Sequence, residues 1–194
     1  AAAKKEIGAD LKIISSFRDY ERQKMIWNRK ALGKRPILDD DGNQIEMKNL
    51  SSKELISAIL RFSALPGASR HHWGTDIDIY DASKIKKENL QLTPQECLPG
   101  GPCYRLHSWL DDYLDSNLDL GFFRPYNQDL GGISVEKWHL SYAPLSNLID
   151  ENYTIDILKR SLEADFIEKK SEILKNLEFI FTQFIKNITY PPKY

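Results

Sequence analysis

Hydrophobic and polar residues alternate over a short stretch near the middle of the chain, and this alternation predicts a β-strand. Along residues 75–80, apolar side chains lie on one face, whereas Asp76 and Asp78 lie on the other. We therefore expect a half-buried strand with two carboxylates on its polar face. Gly74 permits a sharp turn before the strand, and such a turn can fold His71 back over it. An imidazole and a carboxylate would then converge on one point.

A second alternating stretch, residues 133–139, ends with a glutamate and a histidine three positions apart. On a straight strand, Glu136 and His139 would face opposite sides because their separation is odd. They can face one side only if the strand ends near Glu136 and His139 lies on a tight turn. We therefore predict a break in the strand at Lys137 and Trp138.

Apolar residues at three- and four-residue spacing predict that much of the remaining chain is helical. Gly8 is suited to ending the first helix and Asp19 to capping the second. Ser51 and Glu54 form a capping box for the third. The predicted helices span residues 1–7, 19–31, 51–62 and 104–118, and the predicted β-segments span 11–15, 36–45 and 121–126. His107 lies off the apolar stripe of its helix, so we expect it at the surface.

The last quarter of the chain has a helical pattern of its own. Apolar residues recur at helical spacing up to Ile188 and predict an amphipathic tail of one long helix or two. Pro191 and Pro192 would end it. We expect an α+β domain over residues 1–148, with a small, mostly antiparallel sheet flanked by helices. A helical extension over 149–194 would pack on this domain.

Composition narrows the class of partner. The chain has 194 residues, is 41% hydrophobic and carries a formal net charge of −1 without a basic block, so nucleic acid is not an expected partner. No apolar run approaches the roughly 18 residues that a membrane span requires. The first seven residues look like the last turns of a longer helix, so we expect that N-terminal residues have been removed.

Two cysteines leave their redox state open. Cys97 and Cys103 flank a five-residue loop. They are either free thiols or partners in a small disulfide. Their spacing is not that of a zinc knuckle, so we do not expect them to bind a metal.

The two alternating stretches together contain the side chains of a catalytic zinc site. Two imidazoles, His71 and His139, with one carboxylate would leave one coordination position open, as catalytic zinc sites do. Glu136 would supply the general base that such a site needs. The residues alone leave alternatives open: Asp76 and Asp78 share a strand face, and His71 could be a core histidine bonded to the backbone.

Two motifs carry a resemblance to a known family. They are Ser-x-His-x-x-Gly-x-x-x-Asp over residues 69–78 and Glu-x-Trp-His over residues 136–139. Together they resemble the VanY-type D-alanyl-D-alanine carboxypeptidases, which are zinc peptidases of bacterial peptidoglycan related in fold to the hedgehog signalling domain. Residues 16–23, with Arg18 and Gln23, are similar to an upstream element of that family. The resemblance covers roughly residues 1–145.

The resemblance implies a role for each candidate residue. The acidic ligand of the family follows the glycine by four residues, so Zn²⁺ would be held by His71, Asp78 and His139. Glu136 would be the catalytic base, and Arg18 would stabilise the oxyanion. The implied substrate contacts are Ser69, Arg70, Gln23 and Trp138. Asp76 would support the ligands or solvate the strand end. His72 would contact substrate, support the ligands or lie exposed.

The resemblance also implies a substrate. We expect a zinc-dependent D,D-carboxypeptidase that removes the terminal D-alanine of peptidoglycan stem peptides by metal-assisted attack of water. One alternative is an endopeptidase of the endolysin type, which cuts the L-Ala–D-Glu bond. Another is a non-catalytic zinc-containing binding module, although Glu136 argues against it because a purely structural site needs no base. The substrate class favours the bacterial cell envelope, and we expect a monomer.

Overall fold

A four-stranded antiparallel sheet forms the centre of the fold in a computed structural model that describes residues 1–191. Its strands are β1 (Leu11–Ser15), β2 (Asp76–Asp81), β3 (Phe122–Phe123) and β4 (His139–Tyr142), in the order β1-β2-β4-β3. The register of β2 with β4 places Asp78 opposite His139 and Asp76 opposite Ser141. Because directly opposed residues have their Cβ atoms about 5 Å apart, this register brings the two predicted motifs together.

Nine α-helices surround the sheet in the described part of the chain, and the α+β class predicted from the sequence is confirmed. They are α1 (Ala2–Ile7), α2 (Tyr20–Ala31), α3 (Ser52–Leu60), α4 (Pro94–Cys97), α5 (Tyr104–Ser116), α6 (Ala143–Asn152), α7 (Ile155–Glu163), α8 (Lys170–Lys175) and α9 (Leu177–Ile180). A π-helical turn, Phe181–Ile185, follows α9. None of the helices within residues 1–191 is both long and apolar enough to span a membrane.

Local signals in the sequence set the helix ends as predicted. The Asp19 carboxylate accepts a hydrogen bond from the Arg22 amide at the start of α2. Ser51 and Glu54 form the predicted capping box of α3. Gly8 ends α1 in the left-handed conformation that favours glycine. These ends depend on contacts between near neighbours, which is why the sequence shows them.

Strand β2 is buried on both faces, so the expectation of a half-buried strand was wrong. Ile79 packs with Leu110 of α5 and Leu140 of β4 on the apolar face. On the other face Asp76 and Asp78 are also buried. Buried carboxylates require hydrogen-bonding or charged partners, and here the protein supplies them instead of water.

The predicted turn between Glu136 and His139 is present, but it comes before the strand instead of ending one. The His139 amide donates to the Glu136 carbonyl at 3.1 Å, and β4 begins at His139. Residues 133–138 form no strand. The turn still places the two side chains on one side, as the predicted break required.

The C-terminal tail contains more helices than the one or two expected. Thr154 caps α7 through a hydrogen bond from the Ile157 amide, and Lys169 adopts a left-handed conformation before α8. Pro192 of the predicted stop lies outside the described residues. Apolar residues of these helices share a core with Trp27 of α2 and Ile59 of α3. The division into domains at residue 148 stays a prediction, and helix α6 runs through that position.

His107 is buried and not at the surface as expected. It lies on α5 and is 1% exposed. A guanidinium nitrogen of Arg124, which belongs to the segment after β3, donates to the His107 carbonyl at 3.3 Å. The covering residue is distant in sequence from α5, so the helical stripe could not predict it.

The segment between β2 and α5 is not one irregular loop, because it contains α4 and a 3-10 turn at Lys87–Asn89. Polar and turn-forming residues over 81–103 had predicted a long surface loop near the site, and residues 90–93 do line the cleft described below. Cys97 and Cys103 are both free and buried. Burial raises the pKa of Cys97 to about 12, so this thiol stays protonated at neutral pH.

Candidate metal centre

A short 3-10 turn positions the first histidine. Residues Arg70–Trp73 form this turn, and Gly74 ends it with a φ of 72°. Nothing lies within 4 Å of where a Cβ of Gly74 would be, so the backbone conformation and not space calls for glycine. His71 donates from Nδ1 to the Ser16 carbonyl at 2.9 Å. Its Nε2 therefore faces Asp78, whose Oδ2 lies 3.2 Å away.

The second histidine is held in the opposite tautomer. His139 lies at the start of β4 and donates from Nε2 to Asp76 Oδ1 at 2.9 Å. Its Nδ1 lies 3.1 Å from Asp78 Oδ1. Each imidazole thus donates one N–H to a protein acceptor and directs its other ring nitrogen towards Asp78, as metal-binding histidines do.

The three donor groups fit a zinc ion. Ligand atoms of His71, Asp78 and His139 all lie within 4.8 Å of one another. The two distances to Asp78 are close to the roughly 3.4 Å expected between two ligands of a tetrahedral zinc. Asp78 Oδ1 is buried and accepts no hydrogen bond from the described residues. A cation at this point would satisfy this buried carboxylate oxygen, which has no donor.

Asp76 is the centre of the hydrogen-bond network that supports the donors. Besides His139, it accepts hydrogen bonds from Arg70 Nε at 2.9 Å, Thr75 Oγ1 at 2.6 Å and Ser141 Oγ at 3.1 Å. Burial acts to raise the pKa of Asp76, but His139 and Arg70 outweigh it and hold that pKa well below its usual range. Its place behind His139 answers the question left open between Asp76 and Asp78.

Burial and neighbouring charge oppose each other at His139. Burial acts to lower its pKa, but the hydrogen bonds and negative charges of Asp76 and Asp78 prevail and raise it to about 10. The same two carboxylates attract any cation, so a proton and a metal ion compete for Nδ1. This is the electrostatic environment of a cation site.

Arg70 lines the cleft described below, but two of its three guanidinium nitrogens are engaged within the protein and the third, Nη1, has no hydrogen-bond partner among the described residues, so the substrate contact implied by the resemblance stays a prediction. Its guanidinium donates to Asp76 and, at 2.8 Å, to Ser141 Oγ, and it stacks on Trp73 with its central carbon 4.4 Å from the ring centre. The side chain is buried. We therefore assign Arg70 to the support of Asp76. The sequence did not show this because Ser141 is remote in the chain.

Glu136 lies beside the donor groups. Its Oε2 is 3.6 Å from His139 Nδ1, and its carboxyl oxygens accept no hydrogen bond from the described residues. Burial raises the pKa of Glu136 to about 8, although the charges of His139, Arg18 and Lys30 act to lower it. A carboxyl group with a pKa near neutrality can both accept and return a proton.

Arg18 is fixed at the edge of the site, between β1 and α2. Its guanidinium donates to Gln23 Oε1 at 2.9 Å and to Ser15 Oγ at 3.0 Å. Gln23 is fully buried and donates in turn to the Ala64 carbonyl at 2.7 Å. Both ends of the Gln23 amide are thus used within the protein. We propose that Gln23 positions Arg18 and does not itself contact substrate.

His72 bonds to the backbone of the segment that carries Arg18. Its Nδ1 donates to the Arg18 carbonyl at 2.5 Å, and its Nε2 accepts from the Gly67 amide at 3.2 Å. Because both ring nitrogens are engaged with backbone groups, His72 supports the site and is neither exposed nor available to substrate through its ring nitrogens. It ties the motif loop to the segment that carries Arg18.

A cleft of about 530 Å³ opens over these side chains. Ser69 and Trp138 line it, as expected for substrate contacts, and so do Arg18 and Glu136. Further lining residues were not singled out from the sequence: Lys30, Arg35 and Tyr126. The available signal for Lys30 was a charged residue seven positions after Gln23, on the same inward face of α2.

Comparison with known proteins agrees with this geometry. Residues 1–145 match the family model described as VanY, D-alanyl-D-alanine carboxypeptidase. An uncharacterized protein of Haemophilus influenzae (strain ATCC 51907 / DSM 11121 / KW20 / Rd) is 32% identical over 122 residues, which are 62% of this chain and 92% of that protein.

Similar solved structures have lower identity to this chain. VanYB in complex with D-alanine-D-alanine is 22% identical, with a TM-score of 0.48, over 77% of this chain and 68% of that one. A mutant of the D,D-pentapeptidase VanY in complex with Zn(II) is 22% identical, with a TM-score of 0.45, over 76% and 70%. The LD-carboxypeptidase LdcB is 25% identical, with a TM-score of 0.48, over 78% and 57%. The family match contains every residue of the site described above, and the chain belongs to the VanY family of D-alanyl-D-alanine carboxypeptidases.

Proposed function

We propose that this peptidoglycan peptidase is a zinc-dependent D,D-carboxypeptidase that removes the terminal D-alanine of stem peptides. The observation that carries the proposal is the position of Glu136. Its buried carboxyl group has a raised pKa and lies beside three converging donors, and it faces a cleft. A hydrolase that activates water at a metal needs a base at this position.

Zinc held by His71, Asp78 and His139 would supply Lewis acidity, polarising the scissile carbonyl and making water more acidic. Glu136 takes the proton of the attacking water and later gives it to the leaving amine. Arg18, held by Gln23, donates hydrogen bonds to the oxygen on which negative charge develops. Asp76 keeps His139 in the tautomer that presents Nδ1.

The same features disfavour a binding module. A structural zinc site is normally closed by four protein ligands, whereas only three donors converge in the described chain. A largely buried carboxylate without a hydrogen-bond donor, as at Glu136 with its side chain 12% exposed, also costs stability. Such an arrangement is expected where the carboxyl group has a chemical task.

The test is to identify products from stem peptides of defined length by mass spectrometry. We expect release of a single D-alanine from a pentapeptide with a free carboxyl end. Faster release from a tetrapeptide, in which the terminal D-alanine follows an L-centre, would make the enzyme an L,D-carboxypeptidase. Cleavage between the first two stem residues would make it an endopeptidase.

We also propose that the protein acts as a monomer in the bacterial cell envelope, where its substrate lies. In this proposal residues 149–194 are a helical extension that stabilises the peptidase domain through the shared core. Cell fractionation and the mass measured by light scattering test location and oligomeric state. A cytoplasmic location would contradict the proposed location, and a stable dimer would contradict the proposed monomeric state.

A further inference from the structure

A carboxypeptidase must recognise the free carboxylate at the end of its substrate. The sequence offers Arg18, Arg70 and Ser69 for this task, and Arg70 already directs Nε to Asp76 and Nη2 to Ser141. The cleft has other cations. Arg18, Lys30 and Arg35 line one side of it, and we call them the basic wall.

No ion pair joins the basic wall to an acidic side chain within residues 1–191. Arg18 donates only to neutral oxygens of Gln23 and Ser15, and Lys30 Nζ donates to Ser63 Oγ at 2.7 Å. Asp39, on the same rim, uses its carboxylate on backbone amides of its own turn. Three cations therefore line the cleft without an ion pair to any described residue, although Glu136 is near enough to interact with the charges of Arg18 and Lys30.

Lys30 is the unusual member of the basic wall because it is buried. Its exposed fraction is 8%, whereas lysines are almost never buried unless they are paired. Burial, followed by the charge of Arg35, lowers the pKa of Lys30 to about 8, so most molecules keep the ammonium at pH 7. A buried ammonium with a single hydroxyl partner has two N–H donors left for a ligand.

The position of Lys30 suits the end of a bound peptide. Its partner Ser63 is adjacent to Ala64, which anchors Gln23 and, through it, Arg18. The ammonium therefore lies on the Arg18 side of the site, and it is near enough to Glu136 to lower the pKa of that carboxyl group. A terminal carboxylate lies only one residue, roughly 3.5 Å of extended chain, beyond the scissile bond.

We propose that Lys30, assisted by Arg35, binds the terminal carboxylate of the peptide substrate. This inference rests on the proposed function, because only a carboxypeptidase requires such a contact. Ser63 holds the ammonium in place, and Arg35 adds positive charge from the exposed rim. Lys30 thus determines specificity for a free carboxyl end and takes no part in proton transfer.

The experiment compares a pentapeptide stem as the free acid with the same peptide amidated at its C-terminus. Wild type, Lys30→Met, Lys30→Arg and the control Lys34→Met are measured with both. Lys34 is an exposed lysine nearby that does not line the cleft. Lys30→Met should raise KM for the free acid roughly 10- to 100-fold, which is the effect of losing a hydrogen bond to a charged group. Its kcat should stay nearly unchanged.

The amidated peptide separates specificity from a general defect. Lys30→Met should leave kcat/KM for the amide unchanged, Lys30→Arg should recover part of the free-acid preference, and Lys34→Met should behave as wild type. Binding of both peptides to Glu136→Gln, with and without Lys30→Met, measures the same preference without turnover. A preference for the free acid that survives Lys30→Met in either assay overturns the inference but leaves the carboxypeptidase proposal standing. Wild-type enzyme that cuts an internal bond and shows no free-acid preference overturns both.

Discussion

Two buried histidines of this protein have neighbours of the same chemical types, but their pKa values are shifted in opposite directions. His139 and His107 are 3% and 1% exposed, and each lies near an arginine and an aspartate. Asp76 and Asp78 contact His139 directly and raise its pKa to about 10. Around His107, burial followed by the positive charge of Arg124 lowers the pKa to about 3.

The difference lies in which neighbour meets the imidazole. Beside His107, Asp111 is engaged by Arg124 and Lys137, so the ring faces a guanidinium, and its Nε2 has no partner among the described residues. Beside His139, the Asp76 carboxylate lies between the ring and Arg70, and the Asp78 carboxylate faces the other ring nitrogen. Burial alone therefore does not make a histidine functional. The sign of the adjacent charge decides whether its nitrogen attracts a cation.

The largest difference between the two histidines should appear in metal content. We expect one zinc per chain by elemental analysis, and complete loss of activity on chelation that added zinc restores. His139→Gln should abolish zinc binding, whereas His107→Gln should retain it because His107 is not one of the three converging donors. Full activity after exhaustive chelation would refute the metallopeptidase assignment.

Glu136→Gln should separate catalysis from metal binding within the His139 region. The amide cannot accept the proton of water, so kcat should fall at least about 100-fold. Zinc content and peptide binding should be unchanged, since Glu136 is not a ligand in our assignment. Steady-state kinetics with metal analysis of the same sample checks this. A variant that loses zinc, and recovers its rate when zinc is resupplied, would identify Glu136 as a ligand.

Asp76→Asn should reduce the affinity for zinc without abolishing zinc binding. Asp76 orients His139 from behind, and loss of such a partner typically reduces metal affinity about 10- to 100-fold. A competition titration with a zinc chelator measures the change. Asp111→Asn, near the other histidine, is the matched control and should leave zinc affinity as in wild type. Equal effects of the two variants would contradict the role given to Asp76.

The smallest effect concerns stability near His107. Its pKa is about 3 in the folded state and about 6.5 when unfolded, so the unfolded state binds more protons between these values. The contribution of His107 to the free energy of unfolding is complete above pH 6.5 and is lost as the pH falls towards 3. About 2 kcal/mol of it is lost by pH 5. Urea unfolding of wild type and His107→Asn at pH 7 and pH 5 measures this contribution. Equal decreases in the free energy of unfolding of the two proteins between pH 7 and pH 5 would show that His107 does not cause it.

The sequence predicted features that depend on neighbours in the chain and failed where distant residues decide. Asp19 and Ser51 cap their helices as expected, because capping is a contact over three residues. The metal donors could be named because two short motifs carry them. The burial of His107 could not be predicted, since Arg124 belongs to another element.

The roles of Arg70 and Lys30 could not be predicted for the same reason, because residues distant in the chain decide them. Arg70 looked available for substrate because nothing in the sequence shows that β2 and β4 pair with Asp76 opposite Ser141. Lys30 gave no signal beyond a charge on the inward face of a helix. Only the folded cleft shows that this charge has no acidic partner in the described chain.

The register of β2 and β4 has a further consequence, which concerns folding. The donors belong to a turn, to β2 and to β4, and the last two are far apart in the chain. A bound ion therefore acts as a cross-link that the unfolded chain cannot form, and it stabilises the native state in proportion to the logarithm of free zinc. A slip of one residue between the strands would turn one donor to the opposite face and abolish this linkage. If the proposed zinc is bound there, we expect its supply to govern how much of the protein is folded as well as how fast it works.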